Sequence, residues 1–328
     1  MVYNKYIGII GGTGTIGSII VKYLLQLQTH FHVLIGGRRS IKEISMSTFY
    51  NSERLKYNQM NYNNDVELDN FCSQCLLVIN AVGPSFKIND KIALHALRNN
   101  CHYIDIGGYG ILRDLLKPYE KSIEAQKLCF IIGVGWMPGI SGVFSKTIIE
   151  THLNSPENTN FNIYYGAVDN WSYSSTYDLA ASSMGKTRSY VYSHGKEIQV
   201  SPFRYTHHKF FPFIGHKKIC MPSFDEQLTQ LATSLKQIRK ISTFIMLNDY
   251  ISMGKFMFIK IFYKHNLNKA TLMLQDDYQR LVKKENKWGS VICQVSKIEP
   301  ERKIDTFYYL YTKNNLLYTA LPCLLYTS

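Results

Sequence analysis

The chain opens on a short apolar, β-branched run at residues 6–10, breaks into glycines, and turns aliphatic again with Ile19, Ile20, Tyr23, Leu24 and Leu27 at helical spacing. The first run reads as a buried parallel strand and the second as a helix, so the glycines sit between them. Further apolar runs at residues 32–35, 76–80 and 128–134, and in "CHYIDIGG", read as strands, and residues 88–99 read as a helix. Residues 41–64 are polar and yield no element in this reading. The alternation of strand and helix predicts an α/β protein whose first domain, residues 1–145, is a Rossmann-type doubly wound parallel sheet.

Beyond residue 150 the pattern changes. "NSPENTN" is a polar break, and strand-like pieces follow at residues 162–168 and 190–200, the latter folded about "SHGKEI". A mixed, mainly antiparallel α+β domain over residues 146–322 is expected. Residues 243–263 form the most apolar later stretch, but Asn248, Asp249, Lys255 and Lys260 interrupt it. It falls short of a membrane span and reads as a strand pair or a buried helix. The terminal "CLLYTS", residues 323–328, resembles a translated sequencing-adapter scar, which would set the natural chain's break near Pro322; a genuine apolar tail is the alternative.

Gly12, Gly14 and Gly17 match G-x-G-x-x-G, and Gly11, Gly14 and Gly17 match a second reading of the same turn. In strand-turn-helix context such glycines make the tight turn, let backbone approach a pyrophosphate, and let helix pack on strand. The helix N-terminus then faces the anion. Residues Gly11, Gly12, Thr13, Gly14, Thr15, Ile16 and Gly17 are the expected cradle, and a ligand-free glycine-rich connection is the alternative. The second strand ends in "GGRRS" without the Asp or Glu that would hold the ribose hydroxyl of NAD. Arg38 and Arg39 stand there instead, and a guanidinium fork suits the 2′-phosphate of NADP. One such bond is worth roughly 1.5 to 3 kcal/mol, so NADPH is expected over NADH unless the arginines are plain solvated surface. Ala81, Val82, Gly83 and Pro84 end the strand of residues 76–80 abruptly, and a loop after a parallel strand is where such a sheet meets its ligand.

Composition narrows the classes. The 328 residues carry 45% hydrophobic and 19% charged residues, as globular proteins do, and are enough for two domains. The net charge of +13 is spread over scattered lysines with no basic run interleaved with aromatics, so nucleic acid is not an expected partner. That field suits an anionic cofactor and substrate. Seven cysteines lack framework spacing, which fits a reducing compartment, and Cys72 and Cys75 have no second pair to complete a zinc site. No metal set, nucleophile elbow or Walker lysine is found. Without a leader pattern, a cytoplasmic location is expected.

Four segments, "GGTGTIG", "GGRR", "VINAVGPSFKINDKIALHALRNNCHYIDIGG" and "GVGWMPGISG", together resemble the NADP-binding region of saccharopine dehydrogenase-like oxidoreductases. The likeness is specific over residues 5–145 and weaker in "DNWSYSSTYDLAASS" and "YSHGKEIQVSPF". It implies a dinucleotide domain followed by an α+β substrate domain, with hydride transfer to a C=N or C=O bond of a small metabolite. Many relatives have Gly at Asn89 and Glu at Tyr109, and the Lys and His pair of the lysine-forming enzymes has no match here. A relative with another substrate is therefore expected, with a non-catalytic NADP sensor or a lipid-associated enoyl reductase as the other readings.

A reductase of this kind needs a proton donor beside the bond it reduces. Asp105, on the ligand edge of the sheet, is the first candidate, since a carboxyl among apolar neighbours can retain a proton; capping the turn "IGG" is its other reading. Tyr109 and His102 are weaker candidates. Trp136, Pro138 and Gly139 in "GWMPG" are expected to line the substrate site, Trp136 being otherwise a core residue. Asp169, Trp171 and Tyr173 are expected either to touch substrate or to form a surface loop with an aromatic anchor. The expected partner is a small-molecule substrate, with a homodimer left open and no integral membrane span.

Overall fold

The computed structural model describes residues 5–27, 31–40, 52–108, 110–152, 156–185, 189–223, 226–263 and 265–325. The chain divides into two units, Met1–Gly139 with Leu316–Ser328, and Ile140–Asn315.

The first unit holds a six-stranded sheet of β1 (Tyr6–Ile10), β2 (Val33–Gly37), β3 (Leu55–Gln59), β4 (Cys75–Asn80), β5 (His102–Asp105) and β6 (Phe130–Ile132), in the order β3-β2-β1-β4-β5-β6. Every pairing is parallel. The order reverses between β1 and β4, which makes a crevice at the carboxyl ends of those strands. Six helices connect the strands: α1 (Thr15–Gln26), α2 (Asp65–Cys72), α3 (Ser85–Ile88), α4 (Lys91–Arg98), α5 (Gly110–Leu116) and α6 (Glu120–Ala125).

Both sheet faces are covered, which is why the strands are apolar throughout rather than alternating. On one face Leu68 and Phe71 of α2, Ile92 and Ala96 of α4 and Leu112 of α5 cluster with Val78 and Tyr103. On the other, Ile20, Val21 and Leu24 of α1 pack with Ile7, Ile9, Ile35 and Ile79. Ala320, Cys323 and Leu324 of the C-terminal helix, Asn315–Leu325, join that second cluster.

Three features differ from the sequence reading. An edge strand, β3, lies inside the stretch read as merely polar; it is only half-buried, so its Lys56 and Asn58 hid it. The helix expected over residues 88–99 is α4, which starts only at Lys91; Ile88 ends the separate short helix α3, and Asn89 between the two has φ of +52°. The C-terminal helix groups with the first unit, not the second, and it takes in Cys323 and Leu324, which the adapter reading set outside the fold.

The second unit is built on a mixed sheet of eight strands: β7 (Thr159–Val168), β8 (Ser189–Ser193), β9 (Lys196–Val200), β10 (His207–Phe211), β11 (His216–Pro222), β12 (Lys240–Leu247), β13 (Trp288–Ile298) and β14 (Lys303–Thr312). The path is β10-β11-β12-β7-β13-β14, with β8 pairing β12 and β9. Only β12 and β7 run parallel among these pairs. Helices α7 (Ile140–Thr151), α8 (Tyr173–Gly185), α9 (Pro202–Tyr205), α10 (Glu226–Ser234), α11 (Tyr250–Phe262) and α12 (Leu267–Lys284) complete the unit. The apolar stretch of residues 243–263 is the end of β12 followed by α11, started by Asp249, whose carboxylate accepts from the Ser252 N–H at 2.8 Å. Among the described residues, no helix is long and apolar enough to cross a membrane.

Candidate functional site

The glycine turn is built by backbone alone. Gly11 turns the chain with φ of +83°, its N–H donates to the Gly36 carbonyl at 2.8 Å, and the Gly14 N–H closes onto the Gly11 carbonyl at 2.8 Å. A Cβ at Gly17 would stand 2.3 Å from the Gly11 carbonyl oxygen, so only glycine lets α1 start this close to β1. Gly14 is the N-cap of α1; it supplies no capping side chain, and the first turn holds no acidic residue. The N–H groups of Thr15, Ile16 and Gly17 therefore lie at a helix start with no intrahelical partner and no competing carboxylate. Such a start favours an anion.

At the end of β2 the two arginines part company. Both are exposed. Arg39 Nη2 donates to the Thr13 carbonyl at 3.1 Å, while the Arg39 carbonyl accepts from the Tyr57 hydroxyl at 2.5 Å. The Arg38 carbonyl accepts from Gln59 Nε2 at 3.3 Å. The guanidinium held against the glycine turn is thus that of Arg39.

The turn after β4 abuts the glycine turn: a Cβ at Gly11 would stand 2.8 Å from Val82 Cγ2 and 3.0 Å from the Ala81 carbonyl oxygen. Ala81 N–H donates to the Ile10 carbonyl at 2.9 Å, and Val82 N–H donates to Asn80 Oδ1 at 3.0 Å. The other end of the Asn80 amide, Nδ2, donates to Asp105 Oδ2 at 2.8 Å. Tyr103, two positions before Asp105 and hence on the same face of β5, donates its hydroxyl to the same oxygen at 2.6 Å. One buried amide thus ties the residue 81–84 turn to the Asp105 carboxyl.

Asp105 is 2% exposed, and its Oδ1 has no hydrogen-bond partner. Burial pushes its pKa above the ordinary carboxylate value, against the opposing effect of Tyr103, Asn80 and the nearby N–H groups of Gly107 and Gly108. Those backbone groups face the carboxyl without completing a hydrogen bond to Oδ1. Since Oδ2 already accepts from both neighbours, a proton on the neutral acid belongs on Oδ1. Tyr103 keeps its own proton, because burial and then the Asp105 charge raise its pKa. Asn80, Ser85, Asn89, Gly108 and Ile111 are among the residues that line a small depression beside Asp105.

The structure brings the glycine turn, residues 81–84 and Asp105 to the carboxyl edge of one sheet. His102 is not there: it begins β5, at the opposite edge, and its Nδ1 accepts from the Cys129 N–H at 3.0 Å. Strand direction alone separates it from Asp105, so the catalytic reading of His102 is corrected to a structural one. Tyr109 lies outside the described residues. Trp136 is half-buried and meets Tyr318 of the C-terminal helix edge-on, with centroids 6.0 Å apart. Gly139 adopts φ of +126° and passes so close to Gly135 that a Cβ would stand 2.2 Å from its carbonyl oxygen. Pro138 packs on Gly133 in the same loop, 3.2 Å from the Cβ position.

In the second unit Asp169 is buried and spoken for, with Lys287 at 2.9 Å and Asn315 Nδ2 at 3.2 Å. Trp171 stacks on Tyr278 at 4.9 Å, and the Tyr173 hydroxyl donates to Asn268 at 2.8 Å. Sequence reasoning passed over Asn80 and Tyr103. An asparagine closing the apolar run "CLLVIN" was the available signal for the first, and the two-residue spacing to Asp105 for the second. The buried cysteines are packing groups: burial pushes Cys101 up to about 11 and raises Cys72 and Cys75 further.

Residues 7–129 match the family model described as the saccharopine dehydrogenase NADP binding domain. No curated protein matches the chain by sequence. Among solved structures, it is similar to the apo histidine-tagged saccharopine dehydrogenase (L-Glu forming) from Saccharomyces cerevisiae, with 13% identity, a TM-score of 0.66, and coverage of 98% of this chain and 90% of that one. At that identity the likeness concerns the fold. A further similar structure is an engineered D-amino acid dehydrogenase bound to NADP+, with 11% identity, a TM-score of 0.47, and coverage of 97% of this chain and 86% of that one.

Proposed function

We propose that the chain is an NADP-dependent oxidoreductase that prefers NADPH to NADH and exchanges a hydride with a C=N or C=O bond of a small metabolite. The observation that carries this reading is the placement, on one sheet edge, of an anion-receptive glycine turn and a buried carboxyl with an unpartnered oxygen. The residues present fit the cofactor: the turn between β1 and α1 leaves room that only glycines allow, and a guanidinium stands beside it.

The bound dinucleotide supplies the hydride. The chain's own groups do the rest. The N–H groups of Thr15, Ile16 and Gly17 bind the pyrophosphate, and Arg39, with Arg38 beside it, takes the 2′-phosphate. The residue 81–84 turn, braced by Asn80, walls the crevice beside Gly11. Asp105 holds a proton at Oδ1 and delivers it to the heteroatom of the reduced bond, while Tyr103 and Asn80 steady the carboxylate that remains. Trp136, Pro138 and Gly139 are retained in this reading as the substrate loop.

Thermal melting with NADPH, NADH and ATP in parallel tests the reading. A ligand at a hundred times its Kd adds roughly 2.7 kcal/mol, which moves melting by several degrees. NADPH is expected to give the largest shift, and NADPH absorbance is then expected to fall with a panel of imines and carbonyls. No shift with NADPH, or an equal one with ATP, would sink the assignment. Binding without consumption of NADPH across the panel would instead favour a sensor.

A further inference from the structure

The most apolar stretch beyond residue 150 ends in α11, which is apolar nearly all round. Its Ser252, Phe256 and Ile259 are buried and hold the helix to its unit. Ile251, Phe258, Ile261 and Phe262 are not: they are 51%, 40%, 64% and 65% exposed, and nothing lies within 4 Å of the Cβ position at Gly254. At 3.6 residues per turn these five positions fall on one outer stripe, with Lys255 along one side of it and Lys260 along the other. The rings of Phe258 and Phe262 meet within it, centroids 4.6 Å apart. A lone exposed apolar residue is ordinary, but a continuous stripe marks a surface that is covered in use.

Charge decides what covers it. Residues 250–275 carry Lys255, Lys260, Lys264 and Lys269 and no aspartate or glutamate. Lys255 is paired with Asp276 and Asp277 at 2.7 and 3.5 Å. Lys260 lies 5.1 Å from the centroid of the Phe256 ring and makes no ion pair among the described residues. A second copy seated on the stripe would bring like charges together, and the net charge of +13 adds to that repulsion. Anionic headgroups offset these charges, while the acyl boundary below them takes up the apolar side chains. With 13 residues α11 is about 20 Å long against roughly 30 Å of hydrocarbon in a bilayer, so it fits in the surface and not across it.

We propose that the outer stripe of α11 docks this chain onto the surface of an anionic phospholipid bilayer. Ile251, Phe258, Ile261 and Phe262 enter the boundary between headgroups and acyl chains, and the Lys260 ammonium stays at headgroup level. The proposal stands apart from the oxidoreductase reading, since it uses no residue of the first unit.

Flotation of the full chain with vesicles of phosphatidylcholine alone, and of phosphatidylcholine mixed with phosphatidylserine, tests it. Binding to the mixed vesicles is expected to be at least about tenfold tighter and to weaken as salt is raised. Ile261→Ser combined with Phe262→Ser should weaken it at least about tenfold with the melting temperature unchanged, since both side chains are exposed. Ile198→Ser, at an exposed apolar position on β9, should change neither. Lys260→Gln should weaken binding to the mixed vesicles about fivefold and leave binding to phosphatidylcholine alone untouched. If the double variant melts lower, Ile251→Ser at the other end of the stripe takes its place, with the same loss of binding expected in direction. No flotation with the mixed vesicles, equal binding to both kinds, or full binding by the stripe variants would each overturn the proposal. So would a dimer in vesicle-free solution that those variants dissociate, which would give the stripe to a second copy.

Discussion

The Arg39 guanidinium and the Thr13 carbonyl oxygen, 3.1 Å apart, join the end of β2 to the glycine turn through one side chain. The neighbouring Arg38 has no such anchor to that turn. Arg39→Ala is therefore expected to weaken NADPH by roughly ten- to a hundredfold and NADH by much less, since a charge-assisted bond to the 2′-phosphate is lost. Arg38→Ala should have the smaller effect. Titration of both cofactors against both variants decides it, and equal losses for NADPH and NADH would sink the 2′-phosphate assignment.

Two glycine-to-alanine changes are expected to act in opposite directions. At Gly17 a Cβ would stand 2.3 Å from the Gly11 carbonyl oxygen and 2.8 Å from the Gly12 Cα, both backbone atoms that cannot swing aside. Gly17→Ala should destabilise by about 1–3 kcal/mol and abolish the NADPH-induced melting shift. Gly254 lies inside α11 with nothing within 4 Å of its Cβ position. Gly254→Ala should stabilise by about 0.5–1 kcal/mol, because alanine has less chain entropy to lose in a helix. Urea unfolding of both variants measures the pair.

The legible parts of this protein are those where one residue type has one physical use. β1, β2 and β4 were readable because strands buried on both faces are unbroken apolar runs, and the glycine turn because only glycine fits it. β3 was not, since an edge strand buries half its surface and Leu55, Tyr57 and their polar neighbours look like a loop. The break at Asn89 escaped because asparagine, unlike glycine, announces no positive φ. The Trp136 and Tyr318 contact joins residues far apart in sequence, and no local pattern carries that. His102 is the instructive miss: "HYID" was placed on a strand correctly, yet His102 and Asp105 occupy opposite ends of it.

In the second unit Asp249 both caps α11 and pairs with Arg280, whose Nη1 and Nη2 reach its two oxygens at 2.7 and 2.9 Å. Burial alone would raise its pKa, but Arg280 and Ser252 outweigh that and hold the carboxyl well below the usual range. The folded-state pKa being depressed, its stabilisation is present above the ordinary carboxylate value and is lost as pH falls through the folded one. Asp249→Ala should cost about 2 kcal/mol near neutrality, combining a lost cap and a partly exposed ion pair. The gap between variant and wild type should narrow in strong acid, and a gap independent of pH would mean that the carboxylate's charge contributes nothing.

Asp105 is expected to show the reverse dependence. Its folded-state pKa is raised, chiefly by burial, so between the ordinary carboxylate value and the raised one the folded chain binds more protons than the unfolded chain. Stability from this group is therefore full in acid and falls as pH climbs through the raised value, because the ionised carboxyl is then largely buried, at 2% exposure. Asp105→Asn has no charge to bury, and its side-chain oxygen can still accept from Tyr103 and Asn80. Relative to wild type, the variant should gain melting temperature as pH rises from acid toward neutrality, and then hold the gain. It should also turn over substrate far more slowly with NADPH affinity little changed, since an amide cannot release a proton to the product. A melting difference that does not move with pH would mean that folding leaves the Asp105 pKa at its ordinary value, and a carboxyl that has lost its proton well below neutrality cannot be the acid of this reaction.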